Sequence, residues 1–324
     1  MEPQQIFLPH EKQIAEYLKT IEHLKKQTKD TPLFAQEIAK MEKKLDELRK
    51  EVYTSLSPWD RVLICRHPAR PHSVDYIKNI SDSFFELHGD RTFSDDPSVV
   101  GGLIKIDGIP FMLVGQEKGA DTEDRIKRNF GMVSPEGFRK ALRLMKVAAQ
   151  MGIPVLSLLD TTGAYSGLEA EERGQGCIIA ENLCQMFQIE TPIIVVVIGE
   201  GCSGGALGMG VGDSVAMLEH SYYSVISPEG CASILWKDSQ KKQLAATALK
   251  LHAEDLLPYG IVDLVLKEPL GGAQYAPTQV YTEVKRHVLD TWNALKNIPL
   301  PILLEQRQMK FRKLGVFLQA LERE

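Results

Sequence analysis

The sequence predicts an α/β fold with a parallel sheet, and three observations support that prediction. Two short runs, PVLSLLD at 154–160 and PIIVVVI at 192–198, are apolar without polar alternation, as expected of strands buried on both faces. Helical patterns alternate with these runs, which is typical of parallel strands joined by crossover helices. Each run leads into a glycine-containing segment, DTTGAYSG or GEGCSGGALGMG, and loops are expected there at 160–167 and 199–206. Because ligands bind at the carboxyl ends of parallel strands, we expect function in these two segments.

The composition is that of an ordinary globular protein. The 324 residues are 44% hydrophobic and 25% charged, with a formal net charge of −5. This charge favours neither a nucleic acid nor a membrane surface as a partner. The N-terminus lacks the basic and apolar regions of a signal peptide, and no apolar run approaches the roughly 20 residues of a membrane helix. We therefore expect a cytoplasmic protein.

The five cysteines indicate free thiols rather than a metal site. No two of them have the CxxC spacing that zinc sites use, so no metal is predicted on this chain. Their odd number and scattered positions fit a reducing compartment. They are Cys65, Cys177, Cys184, Cys202 and Cys231.

The two ends of the chain are predicted to be helical. Apolar residues recur at three- and four-residue spacing on both sides of the Thr31–Pro32 step, which predicts a helical hairpin. Its apolar stripe is compatible with packing on the main domain and with a subunit interface. From about residue 279 two further helices are expected, divided at PLP. The predicted units are a hairpin at 1–56, a main domain at 57–298 and a helical tail at 299–324.

The elements between the hairpin and the first buried strand follow from local signals. A helix is expected at about 74–87, after the boundary SPWDRV. Asp107-Gly108 between two β-rich runs predicts a tight hairpin. The next helix should begin near Pro135 and end before Gly152. Beyond the first buried strand, AEERGQGCIIAENLCQMFQIE predicts another helix, and VAML and YYSVIS predict short strands.

The segment GEGCSGGALGMG, residues 199–210, is compatible with four interpretations. A nucleophile at Ser203 would need a histidine base and an orienting carboxylate, and none of the eight histidines lies in a recognisable triad motif. A dinucleotide fingerprint matches Gly199-x-Gly201-x-x-Gly204 but leaves little room for a crossover helix. The glycines would also permit simple close packing of a helix on a strand.

The fourth interpretation is an oxyanion hole. A glycine pair that opens a helix at a strand end presents backbone N–H groups without acceptors, and the helix dipole adds positive potential there. Without side chains, the pair allows a substrate carbonyl to approach closely. Such amides stabilise an enolate or a similar oxyanion without a catalytic side chain. Gly204 and Gly205 are the candidate donors.

Four segments together have a family resemblance: KRNFGMVSPEGFRKALRLMK, DTTGAYSGLEAEERGQ, VIGEGCSGGALGMGVGD and YSVISPEGCASILWK. They resemble the α subunits of bacterial acetyl-CoA carboxylase carboxyltransferases over most of the chain. The resemblance implies a crotonase-like (ClpP/crotonase) ββα superhelix with an N-terminal helical hairpin and C-terminal helices. It also implies transfer of a carboxyl group from carboxybiotin to acetyl-CoA, which forms malonyl-CoA for fatty acid biosynthesis.

The resemblance also implies partners. The carboxybiotin is carried on a separate biotin carboxyl carrier protein, and a biotin carboxylase belongs to the same ATP-dependent overall complex. A β subunit with a zinc ribbon supplies most of the CoA site and completes an α2β2 assembly. The resemblance implies that this chain itself binds no metal, and it implies neither a nucleic acid nor a membrane as a partner.

On this chain, the resemblance implies that the glycine pair holds the ureido oxygen of biotin. Negative charge develops on that oxygen as CO2 leaves, so two aligned N–H donors would lower the barrier. No protein base is then required, because the biotin enolate can take the proton from the acetyl methyl group. The predicted site residues are catalytic Gly204 and Gly205, cofactor-binding Ser203, Ala206, Gly163 and Ala164, and substrate-binding Arg128.

Arg128 belongs to a group of basic residues within 125–146 that is opposed there only by Glu136. A solvated helix face is one interpretation of this group. The other is attraction of CoA phosphates or of an acidic carrier domain.

The sequence also departs from the family pattern. DTPGAYPG is usual in the first segment, whereas Thr162 and Ser166 replace its prolines here, and Cys202 stands where glycine is common. Fewer prolines predict a less rigid loop. Two alternative functions stay open: a non-catalytic scaffold subunit, and a self-contained crotonase-type acyl-CoA enzyme. The second would use a carboxylate such as Glu169, Glu171 or Glu200.

Overall fold

A mixed β-sheet forms the centre of the molecule. The structure is a computed structural model, which describes residues 6–27 and 32–315. Within those ranges the strands are β1 (Ser83–Glu86), β2 (Val99–Ile106), β3 (Ile109–Gln116), β4 (Val155–Thr161), β5 (Ile193–Cys202), β6 (Ser214–Leu218), β7 (Tyr222–Ser224) and β8 (Leu264–Leu266). Their order in the sheet is β1-β2-β3-β4-β5-β6-β8, and β7 pairs with the last residues of β5.

The strand directions agree with the predicted parallel sheet. Strands β1, β2 and β3 pair antiparallel, and the pairs from β3 through β4, β5 and β6 to β8 are parallel. The predicted hairpin between β2 and β3 is confirmed, because Ile106 pairs with Ile109 across Asp107-Gly108. Both turn residues have positive φ, +46° and +79°, as a two-residue turn of type I′ requires.

Helices cover both faces of the sheet. They are α1 (Lys12–Gln27), α2 (Pro32–Thr54), α3 (Pro58–Cys65), α4 (Ser73–Ile80), α5 (Thr122–Lys127), α6 (Pro135–Met151), α7 (Leu168–Glu172), α8 (Gln175–Met186), α9 (Ser203–Gly210), α10 (Pro228–Trp236), α11 (Lys242–Leu249), α12 (Ala253–Leu256), α13 (Pro277–Leu295) and α14 (Leu300–Arg312). The boundaries of α6 are as predicted: Pro135 is its first residue, and Gly152 ends it in the left-handed conformation. None of the described helices is both long and apolar enough to cross a membrane.

Three local predictions were wrong. The helix expected at 74–87 ends at Ile80, because the chain extends at Ser81 and β1 pairs with β2. The helix expected after the first buried strand is broken into α7 and α8 by Gly174, whose φ is +79°. The glycine segment is not one loop, because β5 continues through Gly199 to Cys202 before α9 begins.

The core has two layers, one on each face of the sheet. Alternate residues of β5 enter opposite layers, as expected of a strand buried on both sides. Val195 and Val197 pack with residues of α6 and α9, whereas Ile194 and Val196 pack with residues of α4 and α13. The sheet is therefore a rigid support for whatever lies at the ends of its strands.

The N-terminal helices α1 and α2 pack against each other around a small core of Ile14, Ile21 and Leu45. The buried carboxylate of Glu11 accepts hydrogen bonds from the Tyr53 hydroxyl of α2 and from the Tyr275 hydroxyl beyond β8. These contacts attach the hairpin to the main body. The predicted break at Thr31 and the ends of the predicted units, at 1–5 and 316–324, lie outside the described residues. The division into three units stays a prediction.

Candidate active site at the carboxyl ends of the strands

The glycine pair lies in the first turn of α9, directly after β5. Ser203, Gly204 and Gly205 are the first three helical residues, so helix geometry leaves their N–H groups without an intrahelical acceptor. The N-cap residue Cys202 does not cap these groups with its side chain. Ser203 has φ +55°, a strained conformation for a residue with a side chain, and it turns the chain from strand into helix. This arrangement leaves backbone donors at the N-terminal end of α9, which is one requirement of an oxyanion hole.

The two glycine-containing segments touch each other. A Cβ atom on Gly205 would lie 2.6 Å from the backbone nitrogen of Ala164, so only glycine allows this approach. Gly204 is less confined, because its Cβ would meet Ile179 at 3.4 Å, an ordinary contact. Gly163 has φ +145° and faces open space. The structure thus brings together Gly204, Gly205, Gly163 and Ala164.

The first segment is held by buried polar side chains. The Thr161 hydroxyl accepts the Gly163 N–H at 3.1 Å, and it lies 2.5 Å from the carbonyl of Gly131. The Gln175 side-chain amide donates to the carbonyls of Val133, at 2.7 Å, and Tyr165, at 2.9 Å. These bonds hold the loop on both sides of Gly163. They compensate in part for the rigidity that the two prolines of the family pattern would have supplied. Thr162 and Ser166, which replace those prolines, are exposed.

A buried ion network lies beside the glycine segments, and the sequence prediction missed it. Lys118 Nζ contacts Asp160 Oδ1 at 2.7 Å and Glu200 Oε1 at 2.6 Å. Arg66 adds contacts to Glu200, at 2.8 Å, and to Glu229, at 2.6 Å. Asp160 lies at the end of β4 and Glu200 near the end of β5, so Lys118 joins the two strands at the first residues of their glycine segments. The only sequence signal was the position of these carboxylates at strand ends.

The network sets the protonation of its members. Burial alone would raise the pKa of Asp160, but the Lys118 ammonium and a His72 hydrogen bond hold it well below its usual range. Burial would likewise raise the pKa of Glu200, and Lys118 and Arg66 lower it instead. The Tyr222 hydroxyl donates to Glu200. The pKa of Tyr222 is raised, mainly by burial and secondly by the negative charge of Glu200. Both carboxylates are therefore ionised at neutral pH.

A cavity of about 280 Å³ adjoins this network. Its wall includes Lys118, Arg125, Thr162 and the half-exposed ring of Phe130. The backbone of Phe130 is strained, with φ +55°. His72 also lines it; its Nδ1 lies 3.0 Å from Asp160 Oδ2, and its buried Nε2 has no hydrogen-bond partner. Polar groups without partners and strained backbone are both features of functional sites.

Arg128 is engaged in local structure. Its Nε donates to Asp124 at 2.8 Å and its Nη1 to the carbonyl of Pro97 at 2.7 Å. The basic group around it is not simply a solvated helix face, because Lys140 is wholly buried and pairs with Asp95. A substrate role for Arg128 stays a prediction.

Two alternative chemistries fit this geometry poorly. A dinucleotide fingerprint requires a longer helix after its strand, and α9 has only 8 residues. A self-contained acyl-CoA enzyme requires a carboxylate that readily takes up a proton, but Glu200 is a weak base because Lys118 and Arg66 lower its pKa. Glu169 and Glu171 are exposed on α7.

No group of three or more His, Cys, Asp or Glu side chains within 6–27 and 32–315 is arranged to hold a metal ion. All five cysteines are free thiols.

Comparisons with known proteins extend over nearly the whole chain. Residues 7–315 match the profile of a family described as acetyl co-enzyme A carboxylase carboxyltransferase-like. A protein of Protochlamydia amoebophila named acetyl-coenzyme A carboxylase carboxyl transferase subunit alpha is 62% identical over 312 residues, which are 96% of this chain and 99% of that protein. A protein of Chlamydia caviae with the same name is 60% identical over 311 residues, 96% of each chain.

Solved structures show the same fold at low sequence identity. A transcarboxylase 12S chain superposes with a TM-score of 0.55 at 16% identity, over 80% of this chain and 46% of that one. The beta subunit of geranyl-CoA carboxylase from P. aeruginosa also gives a TM-score of 0.55, at 19% identity, over 72% of this chain and 44% of that one. These similarities confirm the crotonase-like fold that the sequence resemblance implied.

Proposed function

Because this chain belongs to the acetyl-CoA carboxylase carboxyltransferase family, we propose that Gly204 and Gly205 form the oxyanion hole of its carboxyl-transfer site. The chain is a carboxyltransferase α subunit of acetyl-CoA carboxylase, a transferase that acts with a β subunit in a multi-subunit complex. The observation that supports the proposed site is the contact between the two glycine segments beside the open first turn of α9.

The donor set fits the carbonyl oxygen of a ureido group. Two adjacent N–H groups at a helix N-terminus stabilise developing negative charge, and Gly163 leaves open space beside them. Carboxybiotin, on a separate carrier, would supply the carboxyl group there. This chain's part is to bind and orient that oxygen, for which each donor contributes about 3 kcal/mol to the lowering of the barrier. We place Ser203, Ala206, Gly163 and Ala164 around the same oxygen.

The proposed partners follow the family. They are a zinc-ribbon β subunit in an α2β2 assembly, a biotin carboxyl carrier protein and biotin carboxylase, with acetyl-CoA and malonyl-CoA bound mostly by the β subunit. We propose a cytoplasmic location and no metal on this chain. Arg128 is proposed as a contact for CoA phosphates or for the carrier.

The first test concerns the donor pair. Gly204→Pro removes one N–H in the first helical turn, where the loss breaks no intrahelical bond. Because proline disfavours the left-handed conformation of the preceding Ser203, the unfolding free energy of the variant is measured together with its activity. Gly204→Ala keeps that N–H and adds only a methyl group at 3.4 Å from Ile179. The assay is the reverse reaction, acetyl-CoA release from malonyl-CoA and a free biotin analogue, with the co-purified β subunit.

We expect Gly204→Pro to lower kcat by about 10²- to 10³-fold. Gly204→Ala should cost less than about tenfold. Assembly with the β subunit, followed by size-exclusion chromatography, controls for misfolding. Equal activity of the two variants would contradict the oxyanion hole and favour a scaffold role. Activity of the α chain alone would instead support a self-contained enzyme.

A further inference from the structure

Helix α9 is a poor helix by composition, so its surroundings must set its geometry. Glycine makes up half of its 8 residues, and glycine is among the weakest helix formers. These glycines serve close packing instead: a Cβ on Gly208 would lie 2.5 Å from the Phe138 ring, and Gly205 abuts the first glycine segment. The direction of the N–H groups of α9 therefore depends on contacts with other elements.

Three buried side chains from three elements bond to carbonyls of α9. Ser157 of β4 donates to Met209 at 2.8 Å, and Asn182 of α8 donates to Gly208 at 2.9 Å. Both carbonyls are in the last turn, where helix geometry supplies no donor, so these two side chains act as C-terminal caps. The third side chain is Gln116, the last residue of β3, which donates to the carbonyl of Gly205 at 2.7 Å.

The bond from Gln116 is not explained by capping. Gly205 lies in the first turn, and its carbonyl is positioned to accept the N–H of Met209 within the helix. The additional bond from Gln116 therefore fixes the orientation of the peptide that follows the proposed donors. It lies at the N-terminal end of α9, whereas the two capping bonds lie at the other end.

The other end of the Gln116 side chain reaches the first glycine segment. Its Oε1 accepts the Asp160 N–H at 3.1 Å, and Asp160 Oδ1 accepts the Glu200 N–H at 2.9 Å. Gln116 is wholly buried, with both ends of its amide engaged. One side chain thus connects the end of β4, which leads to Gly163, to the first turn of α9.

We propose that Gln116 is a positioning residue for carboxyl transfer, which orients the Gly204–Gly205 donors relative to the Gly163 segment. The proposal rests on the oxyanion hole proposed above. An oxyanion hole stabilises charge only when its donors stand about 2.7–3.1 Å from the developing oxyanion, and a misplacement of about 1 Å can cost roughly 10²-fold in rate. Gln116 is wholly buried and its side chain bonds to backbone groups of Gly205 and Asp160, so it acts through the backbone of α9.

The test compares Gln116→Leu with Asn182→Leu in the complex with the β subunit. Both residues are wholly buried amides that donate to a carbonyl of α9, so both variants should lose stability. We expect Gln116→Leu to lower kcat of the reverse reaction about 10- to 100-fold with KM for malonyl-CoA unchanged. Asn182→Leu should keep kcat of the assembled enzyme within about twofold. Equal kcat values for the two variants would overturn the proposal.

A second variant keeps the proposal testable if Gln116→Leu does not fold. In Gln116→Glu, the neutral carboxyl can still donate to Gly205 and accept from Asp160, whereas the ionised form would repel the Gly205 carbonyl. Burial raises the pKa of such a carboxyl. The titratable groups around it are Asp160 and the groups joined to Asp160 in the ion network, namely Lys118, His72 and Glu200.

For Gln116→Glu, we expect the ratio of its kcat to the wild-type kcat to fall about tenfold as the pH rises from 6 to 9. A constant ratio of the two profiles would overturn the proposal. Gly204→Pro is assayed in parallel to separate the two hypotheses. If it retains activity, the oxyanion hole fails and Gln116 has no donors to position. If it is inactive while Gln116→Leu matches Asn182→Leu, only the role of Gln116 fails.

Discussion

The two ends of the parallel strands carry buried charges that are satisfied to different degrees. At the amino end, Arg307 of α14 is wholly buried and pairs with Asp213 through two contacts of 2.7 and 2.8 Å. Its remaining N–H groups donate to the carbonyls of Met186, Ile189 and Thr191. All the donors of this guanidinium are used, and the cluster fastens the C-terminal helix to the starts of the strands.

At the carboxyl end the polar groups are incompletely satisfied. Lys118 pairs with both Asp160 and Glu200, but His72 Nε2 lacks a partner and the first N–H groups of α9 lack intrahelical acceptors. Arg66 is 26% exposed, whereas Arg307 is not exposed at all. Complete hydrogen bonding is typical of a structural cluster, whereas unpartnered polar groups beside a cavity are more common at sites that bind ligands.

The variant with the largest expected effect is Arg307→Met, at the amino ends of the parallel strands. This change removes the cation that pairs with the buried Asp213 carboxylate, which keeps the N–H of Ile193 as a donor, and it removes a donor from three buried carbonyls. We expect the free energy of unfolding to fall by about 3–5 kcal/mol, as for other broken buried ion pairs. Chemical denaturation measures this change. The kcat of the assembled enzyme should be unchanged; a large loss of kcat at full assembly would contradict a purely structural role.

The second prediction applies the same change to the carboxyl end. Lys118→Met leaves two buried carboxylates without their shared cation, although His72 and Arg66 still contact them. We expect a loss of about 2–4 kcal/mol in unfolding free energy at pH 7, together with a loss of kcat.

The stability loss of Lys118→Met should depend on pH, and the direction of that dependence follows from the pKa values of the two carboxylates. In the wild type the pKa values of Asp160 and Glu200 are lowered on folding, so their contribution to stability is present at neutral pH and is lost as the pH falls below about 4. Without Lys118 the buried carboxylates favour protonation. The stability deficit of Lys118→Met should therefore shrink between pH 7 and pH 4, and a deficit that grows on acidification would contradict the assignment.

The third prediction concerns two glycines at opposite ends of the strands. Gly205→Ala places a methyl group against the backbone of Ala164, where nothing can yield without moving a glycine segment. We expect a loss of kcat of about 100-fold in the reverse reaction. Gly152→Ala is the matched control, because Gly152 precedes β4 and its Cβ would meet nothing within 4 Å. Its φ of +64° predicts a cost in stability of about 1 kcal/mol and no change in kcat.

The same comparison explains what the sequence could predict. Apolar runs, the Asp107-Gly108 turn and the Pro135–Gly152 helix depend on neighbouring residues, so local patterns predicted them. The ion clusters depend on residues that are far apart in the chain: Lys118 and Glu200 are 82 positions apart, and Arg307 and Asp213 are 94. No spacing rule connects such pairs.

Gln116 illustrates the same limit within the candidate site. Its role depends on a contact with Gly205, 89 positions away, whereas the glycine pair itself was recognisable from a strand end followed by GG. The strand β1 was missed for a related reason, because only its pairing with β2 distinguishes SFFE from a continued helix.

A smaller effect is expected for the side chain between the strand and the donors. Ser203→Ala removes a hydroxyl but keeps the backbone that turns into α9. If the carboxyl end acts through backbone N–H groups, kcat should fall less than about threefold in the reverse assay, since no donor of the pair is removed. Abolished activity with intact assembly would instead support a serine nucleophile.

The smallest expected effect is that of Arg128→Ala, which lies outside both charge clusters. Its guanidinium already bonds to Asp124 and to the carbonyl of Pro97, so only part of it remains to meet a phosphate or an acidic carrier. If Arg128 attracts these substrates at long range, its loss in Arg128→Ala would raise the apparent KM for malonyl-CoA or for the carrier about two- to threefold and leave kcat unchanged. The increase should diminish at high ionic strength, because salt screens exposed charges. Unchanged KM values for both substrates would assign Arg128 to the α5 turn alone.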